Sequence, residues 1–251
     1  MAAPTHHVAF QATRWSLIEA VRSPDHTDRD RAIDELAGRY RPSVYAFLRR
    51  RGLSPDDAAD VCQGFFETVI LKRDLFARAE RGNGRLRTLV LAALENYVID
   101  CSRREASRAR AESGHAGSRP ASGFRDEEGR LDLSGPTDRV CFEARWAIQV
   151  LEEAVRRCED HFRSSGKSRH WELFHMRVLA PSIASTQPPP LQDLSDALGF
   201  PSPADAAAAV QTVKRRLATL LEQVVAEECD GADVRDELRH VSRVLSSSHR
   251  V

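Results

Sequence analysis

"GRLRTLVLAALENYVIDCSRREASRAR", residues 84–110, decides how the chain folds. Leu86, Leu89, Leu94 and Val98 fall at helical spacing, predict a helix over 86–110, and are the side chains expected to hold it to its body. Its far end carries Arg103, Arg104, Arg108 and Arg110. Such a cluster has two readings. It is a solvated helix end whose cations complement the C-terminal dipole, or a surface that tracks phosphates.

Outward from this stretch the same periodicity dominates. Further helices are predicted near 13–22, 28–51, 55–71, 138–164, 169–179, 191–198, 204–228 and 231–246, and no stretch alternates over a strand's length. Ser54 before Pro55, with Asp56 and Asp57 following, is an N-cap with proline in the first turn. Gly52 and Gly199 sit where helices close. Gly82, Asn83 and Gly84 form a loop leading into the quoted helix. Residues 111–136 are rich in Gly, Ser, Pro and charge and read as a flexible linker. The proline-rich 181–190 stretch reads as a loop. The expected fold is all-α: two small helical domains, 1–110 (with an N-terminal extension) and 137–251, joined by the linker 111–136.

Thirty-seven basic and 37 acidic residues cancel, which argues against a generic polyanion binder. The charge is nevertheless segregated: residues 78–110 hold eight arginines against four carboxylates, and 222–237 hold seven carboxylates against one arginine. Local field, not net charge, decides what docks where. The only lysines are Lys72, Lys167 and Lys214. Arginine's planar fork suits phosphate, although an arginine- and alanine-rich chain also reflects a GC-rich genome, so the bias informs only where it clusters.

Five cysteines, Cys62, Cys101, Cys141, Cys158 and Cys229, lie far apart without C-x-x-C spacing. With no secretory signal at the N-terminus, they read as reduced thiols in a cytoplasmic protein. His170 and His175 are five apart and face different sides of a helix, so no metal site is expected. No cofactor is expected either: glycine-rich phosphate loops and paired catalytic motifs are absent, which argues against an enzyme. No apolar run approaches the ~20 residues of a membrane span.

In the second body, "LQDLSDALGFPSPADAAAAVQTVKRRLATLLEQV" has helix-turn-helix form. A short helix ends at Gly199, the turn "FPSP" follows, and a longer helix sets Val210, Val213, Leu217, Leu220 and Leu221 on its packing side. Gln211, Thr212, Lys214, Arg215 and Arg216 are left outside, where such a pair meets a DNA groove.

The first body adds an ordered set of landmarks: Tyr40-Arg41-Pro42, the run Asp57-Ala58-x-Asp60-x-x-Gln63-x-Phe65-Phe66, Gly84-Arg85-x-Arg87, and Asn96-x-x-x-Asp100 before Arg103-Arg104. This set resembles the promoter-melting domain of the extracytoplasmic-function (ECF) sigma factors of bacterial RNA polymerase. The stretch from Glu143 to Phe174 is similar to the entry of that family's second DNA-binding domain, in a subgroup with a "TRWSLI"-type N-terminal helix, and "VRDELRHVSRVL" is similar to the subgroup's closing helix.

The resemblance implies that Asp57, Asp60, Gln63 and Phe66 bind core RNA polymerase, while at least one of Phe65 and Phe66 is expected to be plain core. It implies that Arg85, Arg87, Asn96, Arg103 and Arg104 hold −10 promoter DNA, and that Gln211, Thr212, Lys214 and Arg215 meet the −35 element. It also implies an inhibitory, anti-sigma-like partner. Three features depart from the family pattern: the alanine-rich start "PADAAAAV" of the recognition helix with one extra turn residue, Ala59 and Gly64 at usually acidic positions, and Tyr97 as the one aromatic residue of 84–110. A second class of function is therefore carried alongside, a sigma-like adaptor with degraded promoter reading that acts through protein contacts.

Overall fold

The computed structural model describes residues 14–72, 74–79, 85–112, 136–228 and 234–248. Every regular element among them is helical. In chain order they are α1 (Arg14–Val21), α2 (His26–Arg50), α3 (Pro55–Phe65), α4 (Leu86–Glu112), α5 (Pro136–Ser164), α6 (Ser168–Phe174), α7 (Ala180–Ala184), α8 (Leu191–Ala197), α9 (Pro203–Glu228) and α10 (Val234–Ser248). α3 continues as a π-helical segment, Phe66–Lys72, and α6 as another, His175–Leu179, while Phe76–Arg78 forms a 3₁₀ turn. The Gly82–Gly84 loop and most of the expected linker lie outside the described residues.

By internal contacts the chain divides into two compact units, 1–148 with 226–251, and 149–225. Both boundaries fall inside helices, α5 and α9, rather than in the 111–136 stretch where composition changes. Within the first unit, long-range charge pairs tie the start of α5 to earlier helices. Arg51 pairs with Asp138 at 2.7 Å, and Arg139 with Glu95. Pairs so distant in sequence leave no trace in local periodicity.

In the first unit α2 is central. Ile33, Leu36, Ala37, Tyr40, Val44, Phe47 and Leu48 are buried along one face, at the spacing a helix needs to present a stripe. Each large member contributes about 1.5–3 kcal/mol by leaving water. α1, α3 and α4 pack against α2. Of the side chains expected to anchor α4, Leu86, Leu94 and Val98 are buried and Leu89 is half-buried. Asp25 caps α2 by accepting from the Thr27 amide at 2.8 Å, and Ser54 caps α3 by accepting from the Asp57 amide at 3.1 Å. The second cap is the one legible in the sequence.

The second unit closes around Phe162, Trp171, Phe174, Leu194, Phe200 and Val213. Ser202 caps α9 as Ser54 caps α3: the Asp205 amide donates to its Oγ, which in turn donates to the Asp205 carboxylate. Gly199 adopts φ +67° between α8 and α9, a conformation that suits glycine. The expected loop over 181–190 needs a correction. Its first residues belong to α7, which runs on without a break from the π-helical segment His175–Leu179, so Pro181 is carried within a continuing helical stretch. Ser185, at φ +53°, then ends the helix.

Candidate functional site: the exposed faces of α3, α4 and α9

Along α4, Thr88, Ala92, Asn96, Arg103 and Ser107 are exposed and recur every four or seven residues, so they form one stripe. Arg104, also exposed, lies beside it. Asn96 and Arg103 are separated by about 10 Å along the helix axis at the usual rise per residue. Three of the five residues expected on −10 DNA, Asn96, Arg103 and Arg104, thus share an open surface. The side chains of Arg108 and Arg110 lie outside the described residues.

Arg85 and Arg87 do not join them. Arg87 is 4 % exposed, and its guanidinium stacks on the Trp146 ring, 4.4 Å from the centroid. It pairs with Glu143 of α5 at 2.8 Å and with Glu237 of α10. Arg85 pairs with the other oxygen of Glu237, also at 2.8 Å. Burial pulls the Arg87 pKa below its ordinary value while Glu143 opposes that shift, and a guanidinium so placed stays charged. As folded, the charge of Arg87 is paired inside the unit, away from the exposed stripe. Arg85, half-buried, keeps part of its surface.

Tyr97, the lone aromatic residue of this stretch, is also turned inward, with its ring 5.7 Å from that of Phe65. Burial first, then the neighbouring Cys101 thiol, pushes its phenol up to about 12. It is unavailable for stacking on a base in this arrangement.

On α3, Asp57, Asp60 and Gln63 are exposed within one side of the helix, and Gln63 donates to Glu67 at 2.8 Å. Glu67 extends the acidic face and was not foreseen, because the turn that carries it is π-helical and its position cannot be read from a 3.6-residue period. Phe66 is buried like Phe65, with Arg41 lying 5.0 Å over its ring. Both phenylalanines are interior, in keeping with the expectation that at least one would be. Leu71 remains as an exposed apolar side chain just beyond.

On α9, Gln211, Lys214 and Arg215 are exposed, and Thr212 is half-buried with its hydroxyl donating to the Ala208 carbonyl at 2.9 Å. The leading exposed positions are Ala204, Asp205 and Ala208, which offer a carboxylate and no donor side chain. Gln211 and Lys214 also line a cleft of about 450 Å³, together with Arg177, Pro181, Thr186 and Leu191.

The charge segregation visible in the sequence was the signal for Glu237, since the acidic 222–237 block supplies the carboxylate that meets the basic 78–110 block. Glu143 had no such signal. Among the described residues no group of three or more His, Cys, Asp or Glu is placed to hold a metal ion, and no helix is long and apolar enough to cross a membrane. No protein-family model matches the chain, and no curated protein or solved structure matches it either.

Proposed function

We propose that the protein is an ECF-type sigma factor that binds core RNA polymerase and directs it to promoters, without catalysis of its own. The observation that carries this reading is the pair of exposed faces within one unit. Asn96, Arg103 and Arg104 on α4 supply cations and an amide for a separated DNA strand, and Asp57, Asp60 and Gln63 on α3 supply oriented polar groups for a protein partner. In the second unit, α8 and α9 act as a helix-turn-helix, with Gln211 reading bases and Lys214 and Arg215 holding phosphates. The site of action is then cytoplasmic, and an inhibitory protein of the anti-sigma kind covers one or both faces until transcription is required.

The test is run-off transcription with purified core polymerase on DNA from upstream of the protein's own gene. Initiation at a defined start that depends on the protein supports the reading. Retention of polymerase without any promoter-dependent transcript removes it.

One observation favours the alternative of a sigma-like adaptor. The leading turn of α9 exposes alanines and Asp205, and the Arg85–Arg87 end of the basic stretch is occupied by carboxylates. Both reduce what is left for promoter reading. In a promoter-complex assay, indifference to every −10 and −35 base change would favour the adaptor.

A further inference from the structure

α10 is held to its unit by few apolar contacts and by strong charge. Val241 is buried, whereas Val234, Leu238, Val244 and Leu245 are only half-buried. Set against this modest apolar anchor is Glu237, 1 % exposed, whose two oxygens face Arg85 and Arg87. His240, one turn on, meets Glu143 at 2.9 Å, so α10 also touches the carboxylate that shares Arg87.

These contacts have a consequence for the basic surface of α4. Arg85 stands just before its start, on the side of Asn96 and Arg103, while Arg87 is buried on the opposite side. The longer run of cations is complete only when Glu237 is elsewhere. A carboxylate on a guanidinium and a phosphate on a guanidinium are alike in geometry and charge, so one ligand excludes the other. A polyanion presenting several phosphates at once is the kind of competitor able to displace a single carboxylate.

We infer that α10 is a detachable latch in cis: Glu237, anchored on buried Arg87, also occupies the half-exposed guanidinium of Arg85, and the phosphates of a nucleic-acid strand compete with it for Arg85. The inference rests on the proposed reading of α4 as a DNA-binding surface and adds its regulation. With the latch closed, DNA meets Asn96, Arg103 and Arg104 alone. With it open, Arg85 extends the contact, and the apparent affinity is scaled by the fraction of molecules that are open. Arg87 also has Glu143 and the Trp146 ring as partners, so its charge is not left bare when Glu237 departs.

The test uses the full chain and a fluorescently labelled single-stranded DNA of mixed sequence, about 30 nucleotides long so that it exceeds an ordinary strand-binding site. Glu237→Gln is expected to tighten binding by about fivefold or more at low salt, the signature of a competent state that was mostly closed. Adding Arg85→Ala is expected to abolish that gain, as coupling between the two positions requires. In the unaltered protein, saturating DNA should speed amide hydrogen exchange over residues 234–248. Should Glu237→Gln lose helicity, the exchange measurement decides by itself. Unchanged affinity in a folded Glu237→Gln chain, or α10 amides equally protected with and without DNA, overturns the latch. If the latch fails while Asn96→Ala and Arg103→Ala still weaken binding, the DNA-binding reading stands without it. If no variant and no unaltered chain binds DNA, both fall together.

Discussion

The hydroxyl of Tyr97 occupies the space in which a side chain on Gly64 would begin: a Cβ built there lies 2.5 Å from the phenol oxygen and 3.8 Å from the ring carbon that bears it. Two helices, α3 and α4, thereby approach through a glycine, at a position where the ECF sigma factors that this run resembles usually have an acidic residue. No acidic side chain fits at that position beside Tyr97. The Tyr97 ring is packed on Phe65 and has little room to retreat.

Gly64→Ala is therefore expected to destabilise the fold by about 1–3 kcal/mol, the usual cost of overpacking, despite the better helix propensity of alanine. In a Tyr97→Phe background the clash is gone, and the same substitution should stabilise by about 0.5–1 kcal/mol. Urea denaturation of the four proteins in this cycle measures both values. Equal effects in the two backgrounds would show that the phenol oxygen is not the obstacle.

The α4 stripe predicts a salt signature. Arg103→Ala and Arg104→Ala should each weaken DNA binding similarly across sequences and flatten the dependence of log affinity on log salt by about one unit. Asn96→Ala should leave that slope alone and cost about 1–3 kcal/mol at a single promoter position. Affinities for a panel of single-base variants across a salt series distinguish the two behaviours.

The α3 face predicts the loss of a protein partner without loss of structure. Because Asp60 and Gln63 are exposed, Asp60→Arg combined with Gln63→Ala should abolish retention of core polymerase while helicity by circular dichroism stays unchanged. Full retention by the double variant would move the polymerase contact away from α3.

Tyr97 predicts a loss of stability at alkaline pH. Its folded-state pKa is raised from 10.0 to about 12, chiefly by burial, so between those values the unfolded chain releases the proton first. The stabilising contribution of the neutral phenol is complete below pH 10 and is lost as pH rises towards 12. The gap in urea midpoint between the unaltered protein and Tyr97→Phe should narrow over that window. A gap independent of pH would mean that Tyr97 ionises equally well in both states.

What the sequence determined by itself is local. Helix periodicity, the Ser54 cap, the glycine ends at Gly52 and Gly199 and the apolar anchors of α4 are all short-range properties, and each stands in the structure where spacing and composition put it. The exposed positions of Asn96, Arg103, Asp60 and Gln63 follow from the same periodicity. Tertiary structure decided which charges remain available. Nothing within a few residues of Arg87 reveals that Glu143, Glu237 and the Trp146 ring close around it from α5 and α10. The inward turn of Phe66, under Arg41, likewise comes from packing across α2 and α3. A buried guanidinium needs a charged partner wherever the chain can supply one, and that partner is chosen by proximity in space, which helical spacing does not encode.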